Sequence, residues 1–166
     1  MSIAAAAFVG LLGVSVPAQD PTSGATYRYR AAIAALLQLK PGMVAAEVGS
    51  TPGFIATAME PLVAPGGRVI KGPAASGLAP TSLDAIAVVN VFGGVEQRQE
   101  MLQSLSTALK PGGALLIVDV PAENDGKKVV GIEADDVVKL ATEAGFRREA
   151  ESGIVPGHYA IRFRKP

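Results

Sequence analysis

Residues 45–54 read Ala45-Ala46-Glu47-Val48-Gly49-Ser50-Thr51-Pro52-Gly53-Phe54, a short apolar strand that runs into a glycine-containing turn and then into a helical pattern. An acid closes the strand, and glycines follow it in the spacing Glu47-x-Gly49-x-Thr51-x-Gly53. A strand, tight turn and helix in this order is the opening unit of an open α/β sheet, whose ligands sit outside the carboxyl ends of the strands. Working outward, the same punctuation occurs three times, as Lys40-Pro41-Gly42, Ala64-Pro65-Gly66-Gly67 and Lys110-Pro111-Gly112-Gly113. Each copy separates a helical pattern from an apolar strand.

The expected strands are 43–48, 68–71, 84–91 and 114–120, of which 84–91 and 114–120 are almost wholly apolar and suit burial on both faces. Helices are expected over 25–40, with Tyr29, Ala32, Ile33, Leu36 and Leu37 on one face, and over 54–63, ended or kinked by Pro61. Two more follow at 97–109, with Met101, Leu102, Leu105, Ala108 and Leu109 as its apolar stripe, and at 135–144, capped by Gly145. Residues 146–150 and the alternating run 159–164 close the chain as an antiparallel hairpin. The fold class is therefore α/β: a doubly wound, mostly parallel sheet with helices on both faces and a C-terminal antiparallel hairpin.

At 166 residues and 49% hydrophobic content the chain can bury one core, and a second domain is not expected. Fifteen basic and fifteen acidic residues cancel, which gives no reason to expect nucleic acid as a partner. The local basic clusters Arg147-Arg148 and 162–165 read as solvated strand faces. With no cysteine, disulfides, thiolate metal sites and cysteine nucleophiles are excluded, and a single histidine, His158, argues against a histidine metal site. Residues 1–19 carry no charged side chain, and Val16-Pro17-Ala18 has the small-x-small form of a cleavage site. Residues 1–18 are expected to be a signal peptide, 19–26 a linker and 27–166 the folded domain, with an exported product that keeps no membrane span. The alternatives are a cytoplasmic protein with a buried Ala-rich helix, or an uncleaved anchor.

Residues 27–164 resemble the class I S-adenosylmethionine-dependent methyltransferases. The resemblance is carried by Leu39-Lys40-Pro41-Gly42-Met43 leading into the Glu47 loop, by 109–119 with its Lys110-Pro111-Gly112-Gly113 turn, and by Ala144-Gly145-Phe146. It implies S-adenosylmethionine as cofactor, with Glu47, Gly49, Ser50, Thr51 and Gly53 around its methionine end and Asn90 across the switch point near the methyl group. It also implies a small-molecule or lipid-like acceptor, and it names no catalytic residue and no metal.

Three departures from that family's pattern accompany the resemblance. Thr51 and Pro52 stand at the apex of the loop, and Lys71 stands where the family places an acid for the ribose hydroxyls. A cation cannot accept those hydrogen bonds. Only residues 72–83 join the second and third strands, where the family has a helix, a further strand and an adenine-contacting loop. These departures support a rival reading, a catalytically inactive, methyltransferase-derived interaction module, with a homodimer through the exposed sheet edge as its corollary. A nicotinamide enzyme is weaker still, because Gly-x-Gly-x-x-Gly is absent. Asp119 is expected to hydrogen-bond a turn, the run 123–126 to be a solvated turn and His158 to be structural or exposed.

Overall fold

The structure is a computed structural model that describes residues 8–9, 15–16, 25–49, 53–72, 77–124 and 129–166. Ser50, Thr51 and Pro52 lie outside these residues, as does the expected signal segment except for Phe8–Val9 and Ser15–Val16, which pair antiparallel. The main elements are α1 (Ala25–Arg28), α2 (Arg30–Leu36), β1 (Val44–Gly49), α3 (Ala56–Val63), β2 (Arg68–Lys71), β3 (Leu83–Val89), α4 (Arg98–Ala108), β4 (Leu109–Asp119), α5 (Ala134–Glu143), β5 (Arg147–Ser152) and β6 (Tyr159–Arg164).

Six strands form one sheet in the order β2-β1-β3-β4-β6-β5. The first four run parallel, and β6 lies antiparallel to both β4 and β5. Alternation along the strands divides the core between the two faces. Ala45, Ala85, Leu116 and Val118 pack under α2 and α3 with Ile33, Ile55 and Met59. Ala46, Ile86, Leu115 and Ile117 pack under α4 and α5 with Leu102, Leu105 and Val137. The chain crosses from β1 to β2 over one face and returns from β2 to β3 over the other, so the switch point lies between β1 and β3, where Gly49 and Val89 are register partners.

Several boundaries differ from the sequence-based expectation, each for a local reason. The helix expected over 25–40 is split at Tyr29 and ends at Leu36; Thr26, Ile33, Ala34 and Leu37 are buried along this stretch, whereas Ala32 is half-buried. Pro61 does not end α3, which continues to Val63. The carbonyl that loses its donor to Pro61 belongs to exposed Thr57, where water can replace the missing N–H. β4 starts at Leu109 because the Lys110-Pro111-Gly112-Gly113 stretch bulges out of the ladder, whose register moves from Leu83↔Leu109 to Ala85↔Ala114. The C-terminal tail holds that bulge in place: Gly112 N–H donates to the Lys165 carbonyl and Lys165 N–H to the Gly113 carbonyl. Asp84 ties three elements together, accepting from Val44 N at 2.8 Å and from Lys110 Nζ at 2.8 Å.

Between β2 and β3 the described residues form no α-helix, as the short linking segment leads one to expect. Leu78 covers part of the sheet there, and Thr81 N–H and Ser82 N–H dock on the Thr107 and Ala108 carbonyls at the end of α4. Among the described residues β2 pairs with β1 alone, and its ends, Arg68 and Lys71, are exposed. The opposite edge, β5, is lined with exposed charges. The basic clusters are more tightly held than a merely solvated face: Arg162 and Arg164 share Glu149, and Arg148 pairs with Glu151. The two arginines hold the Glu149 carboxyl below its ordinary range, the Arg164 hydrogen bond being the larger cause. No helix among the described residues is long and apolar enough to cross a membrane.

The turn into β2 is closed by Gly67, where an added methyl group would run into the Met43 and Val63 carbonyl oxygens and the Val63 side chain. Gly67→Ala is therefore expected to lower unfolding stability by about 2 kcal/mol, measured by urea denaturation. An unchanged midpoint would show that the turn relaxes freely.

Candidate functional site

The site is organised by Glu47, the buried carboxylate at the end of β1. Its Oε2 accepts from Gly53 N at 2.8 Å and Ala56 N at 3.3 Å, and its Oε1 accepts from Ile55 N at 2.6 Å. The first amides of a helix have no partner within the helix, and negative charge is favoured there by the helix dipole. Glu47 satisfies both requirements from outside α3, and so fixes the chain as it leaves the loop after β1. Burial raises the carboxyl's pKa, while the amides of Ile55, Gly53 and Ala56 and the Lys71 charge pull the other way. The role implied by the resemblance, contact with a bound cofactor through backbone and water, is thus accompanied by a direct one: both side-chain oxygens are occupied by the protein's own backbone.

Across the switch point, Asn90 follows β3 with φ +55°, a left-handed conformation that asparagine tolerates. Its Nδ2 donates to Thr26 Oγ1 at 3.0 Å, and Thr26 on α1 is itself buried. Asn90 Oδ1 is buried and has no hydrogen-bond partner among the described residues. Beside it, a Cβ built on Gly49 would meet only the Val89 carbonyl oxygen, at 3.7 Å, and Gly49 does not have a positive φ. Neither packing by the described residues nor backbone conformation therefore requires glycine at position 49. Tyr27 stacks on Phe54 with ring centroids 5.8 Å apart, and the Arg30 guanidinium lies 4.4 Å from the Tyr27 ring centre. Helix α1 is thereby tied to both sides of the switch point.

Lys71 ends β2 as the register partner of Glu47. Its ammonium pairs with Glu60 of α3 at 2.6 Å, and its Cδ passes 3.8 Å from where a Gly53 Cβ would be. The strand end where the resemblance leads one to expect an acid is thus occupied by an ion pair.

A second cluster stands at the end of β4. Asp119 accepts from Gly93 N at 2.9 Å and from Val120 N at 2.8 Å, the turn-holding role expected of it. Burial raises its pKa against those hydrogen bonds. Arg98 donates to the Phe92 and Gly93 carbonyls, and Tyr159 donates to the Ile132 carbonyl at 2.8 Å. Burial, followed by the Asp119 charge, pushes the Tyr159 hydroxyl far above its ordinary pKa. The loops after β3 and β4 touch through backbone: a Cβ on Gly93 would lie 2.7 Å from Gly131 Cα. His158 is half-buried, with Nδ1 3.0 Å from the Pro156 carbonyl oxygen. Glu123–Asn124 pairs with Val129–Val130, and the rest of that turn lies outside the described residues.

Of the residues singled out in the sequence, Glu47, Gly49, Gly53 and Asn90 thus gather around one switch point. Thr26 and Tyr27 were not foreseen there, and neither was the Gly93/Gly131 contact. Among the described residues no three His, Asp or Glu side chains come together as a metal site.

The sheet order, the hairpin and the Glu47 loop define the fold of the class I S-adenosylmethionine-dependent methyltransferases. An S-adenosylmethionine-dependent methyltransferase from Aquifex aeolicus superposes with a TM-score of 0.71 at 18% identity, covering 89% of this chain and 94% of that one. The 1,6-didemethyltoxoflavin-N1-methyltransferase of Burkholderia thailandensis, solved with 1,6-didemethyltoxoflavin and S-adenosylhomocysteine, gives 0.68 at 15% identity over 87% of this chain and 80% of that one. The [4+2]-cyclase SpnF shares the fold too, at 0.62 and 13% identity over 89% and 85% of the two chains. No protein-family model and no curated protein matches the sequence.

Glu47→Gln tests the cap. An amide accepts through one oxygen only, so some of the three N–H groups lose their partner, and a loss of about 2 kcal/mol is expected in denaturation at neutral pH. The pH dependence should change as well. A carboxyl whose folded pKa lies above its unfolded value of about 4.5 makes the wild type lose stability as pH rises from there through the folded value. The variant should lack that component, and identical pH slopes would refute the assignment.

Proposed function

We propose that the switch point binds S-adenosylmethionine by its methionine end and that the protein is a methyltransferase acting on a small acceptor. The observation that carries this reading is the pairing of an unshielded Gly49 with the orphaned, buried Asn90 Oδ1 across the crevice. A buried acceptor without a donor is costly, and a ligand amine or hydroxyl would satisfy it. The cofactor, when bound, supplies an electrophilic methyl group on a sulfonium. Glu47 keeps the Gly53 to Ala56 backbone in place, and α1, tied by Thr26 to Asn90 and by Tyr27 to Phe54, holds the side of the crevice and limits water.

Among the described residues beside the crevice, Asp119 holds the Gly93 and Val120 amides and Tyr159 donates to the Ile132 carbonyl, so both are assigned to structural contacts and neither is assigned as the general base. The preferred acceptor is therefore one whose nucleophile is already available at neutral pH, such as an amine of modest basicity or an acidic hydroxyl. A lipid-like acceptor and an exported location belong to the same reading and await their own tests.

The Lys71–Glu60 ion pair favours a second reading, a module that retains the sheet and has lost turnover, because no acid at that strand end can hold a ribose diol.

Calorimetry on the full chain with S-adenosylmethionine and S-adenosylhomocysteine separates the two. Micromolar binding is expected, weakened at least about tenfold by Gly49→Phe, with thermal melts confirming that the variant folds. No heat at millimolar cofactor from a folded wild type would overturn the binding assignment. Binding without transfer to any of a panel of amines and phenols would favour the inactive module.

A further inference from the structure

The opposite end of the sheet carries a second feature. At the amino ends of β1, β3 and β4 lies a cavity of about 180 Å³, bounded by Lys40 in the turn after α2, Asp84, the Lys110 to Gly113 bulge and Arg164 at the end of β6. We propose that this cavity is a binding site for a phosphate-type dianion, either free phosphate or a small phosphomonoester.

The charges around it are unequal. Lys40 forms no ion pair among the described residues. Lys110 places one of its three N–H bonds on Asp84, and the other carboxylate oxygen of Asp84 is taken by Val44 N–H, so this acid is already neutralised and hydrogen-bonded. Arg164 shares the single carboxylate of Glu149 with Arg162, which leaves one positive charge in excess beside the cavity. Three cations, Lys40, Lys110 and Arg164, and one acid, Asp84, thus line the cavity, and the cations come from three separate elements.

Convergence of donors from different directions suits a tetrahedral oxyanion, whereas a flat carboxylate is matched by one guanidinium fork. The bulge leaves the approach open: Gly112, at φ +76°, has no atom within 4 Å of where a Cβ would be. At the rim, Gln38 has φ +55°, a conformation that costs a non-glycine residue energy and that recurs at ligand clamps. The cavity lies at the other end of the strands from Gly49 and Asn90, so its occupancy is independent of the function proposed above.

The test is titration of the ¹⁵N-labelled full chain with inorganic phosphate at constant ionic strength, with chloride as the control. Saturable shifts are expected at Lys40, Gly112 and Gly113 amides, with Asn90 unmoved. Lys40→Gln and Lys110→Gln should each weaken binding about tenfold. Among the described residues Lys40 has no acid partner to disrupt, so its variant reports on the ligand even if loss of the Lys110–Asp84 pair loosens the fold. Tighter binding of glycerol phosphate than of phosphate would identify an organic monoester as the ligand, and equal binding would identify free phosphate. Absence of saturable shifts, or an unchanged dissociation constant in Lys40→Gln, would overturn the proposal.

Discussion

Three backbone N–H groups at the start of α3 point at one carboxylate, that of Glu47, and the geometry of the crevice follows from this contact. An ionised side chain excluded from water is costly unless several donors surround it. Here the donors come from the loop and helix that the same strand leads into, so the cost of burying the charge is offset by a cost that the helix end would otherwise carry. The arrangement couples β1 to α3 and to the Gly53–Ala56 backbone that leads into it. It also sets where Gly53 lies relative to Lys71, and therefore how the Lys71–Glu60 pair fills the neighbouring strand end.

Much of the architecture was legible in the sequence because its signals are local. Proline-glycine punctuation and continuous apolar runs identify parallel strands without knowledge of their neighbours, and the period-two pattern of Tyr159–Arg164 identifies the antiparallel partner. Contacts made at long range were not legible. The bulge at Lys110 to Gly113 becomes part of β4 only because the tail residue Lys165 supplies hydrogen bonds to it. The split of the first helix at Tyr29 likewise accompanies contacts of Tyr27 and Thr26 with residues far along the chain.

The site shows the same division. Glu47 and Asp119 could be singled out as acids at strand ends, and Asp119 was expected to hold a turn. The partner of Asn90 lies 64 residues earlier, on a short helix whose composition gives no hint of it. The Gly93/Gly131 approach was equally hidden, since periodicity says which face a residue takes but not which loops meet above the sheet. Lys71, read in the sequence as a cation in an acid's place, is paired with Glu60, a residue that nothing in the sequence connects with it.

The return from β2 to β3, with no α-helix among its described residues, has a consequence for how the molecule moves. Strands β3, β4 and β6 are covered on both faces, whereas β2 is four residues long, pairs with one strand among the described residues, and on one face packs through Ile70 with Leu78, neither fully buried. Local opening free energy tracks buried apolar contact and ladder length. The molecule therefore has a rigid half, built on β3, β4 and β6, and a loosely fastened flank at β2. Amide protons in β2 are therefore expected to exchange with solvent by detachment of that flank, and those of β3 and β4 only when the whole domain unfolds.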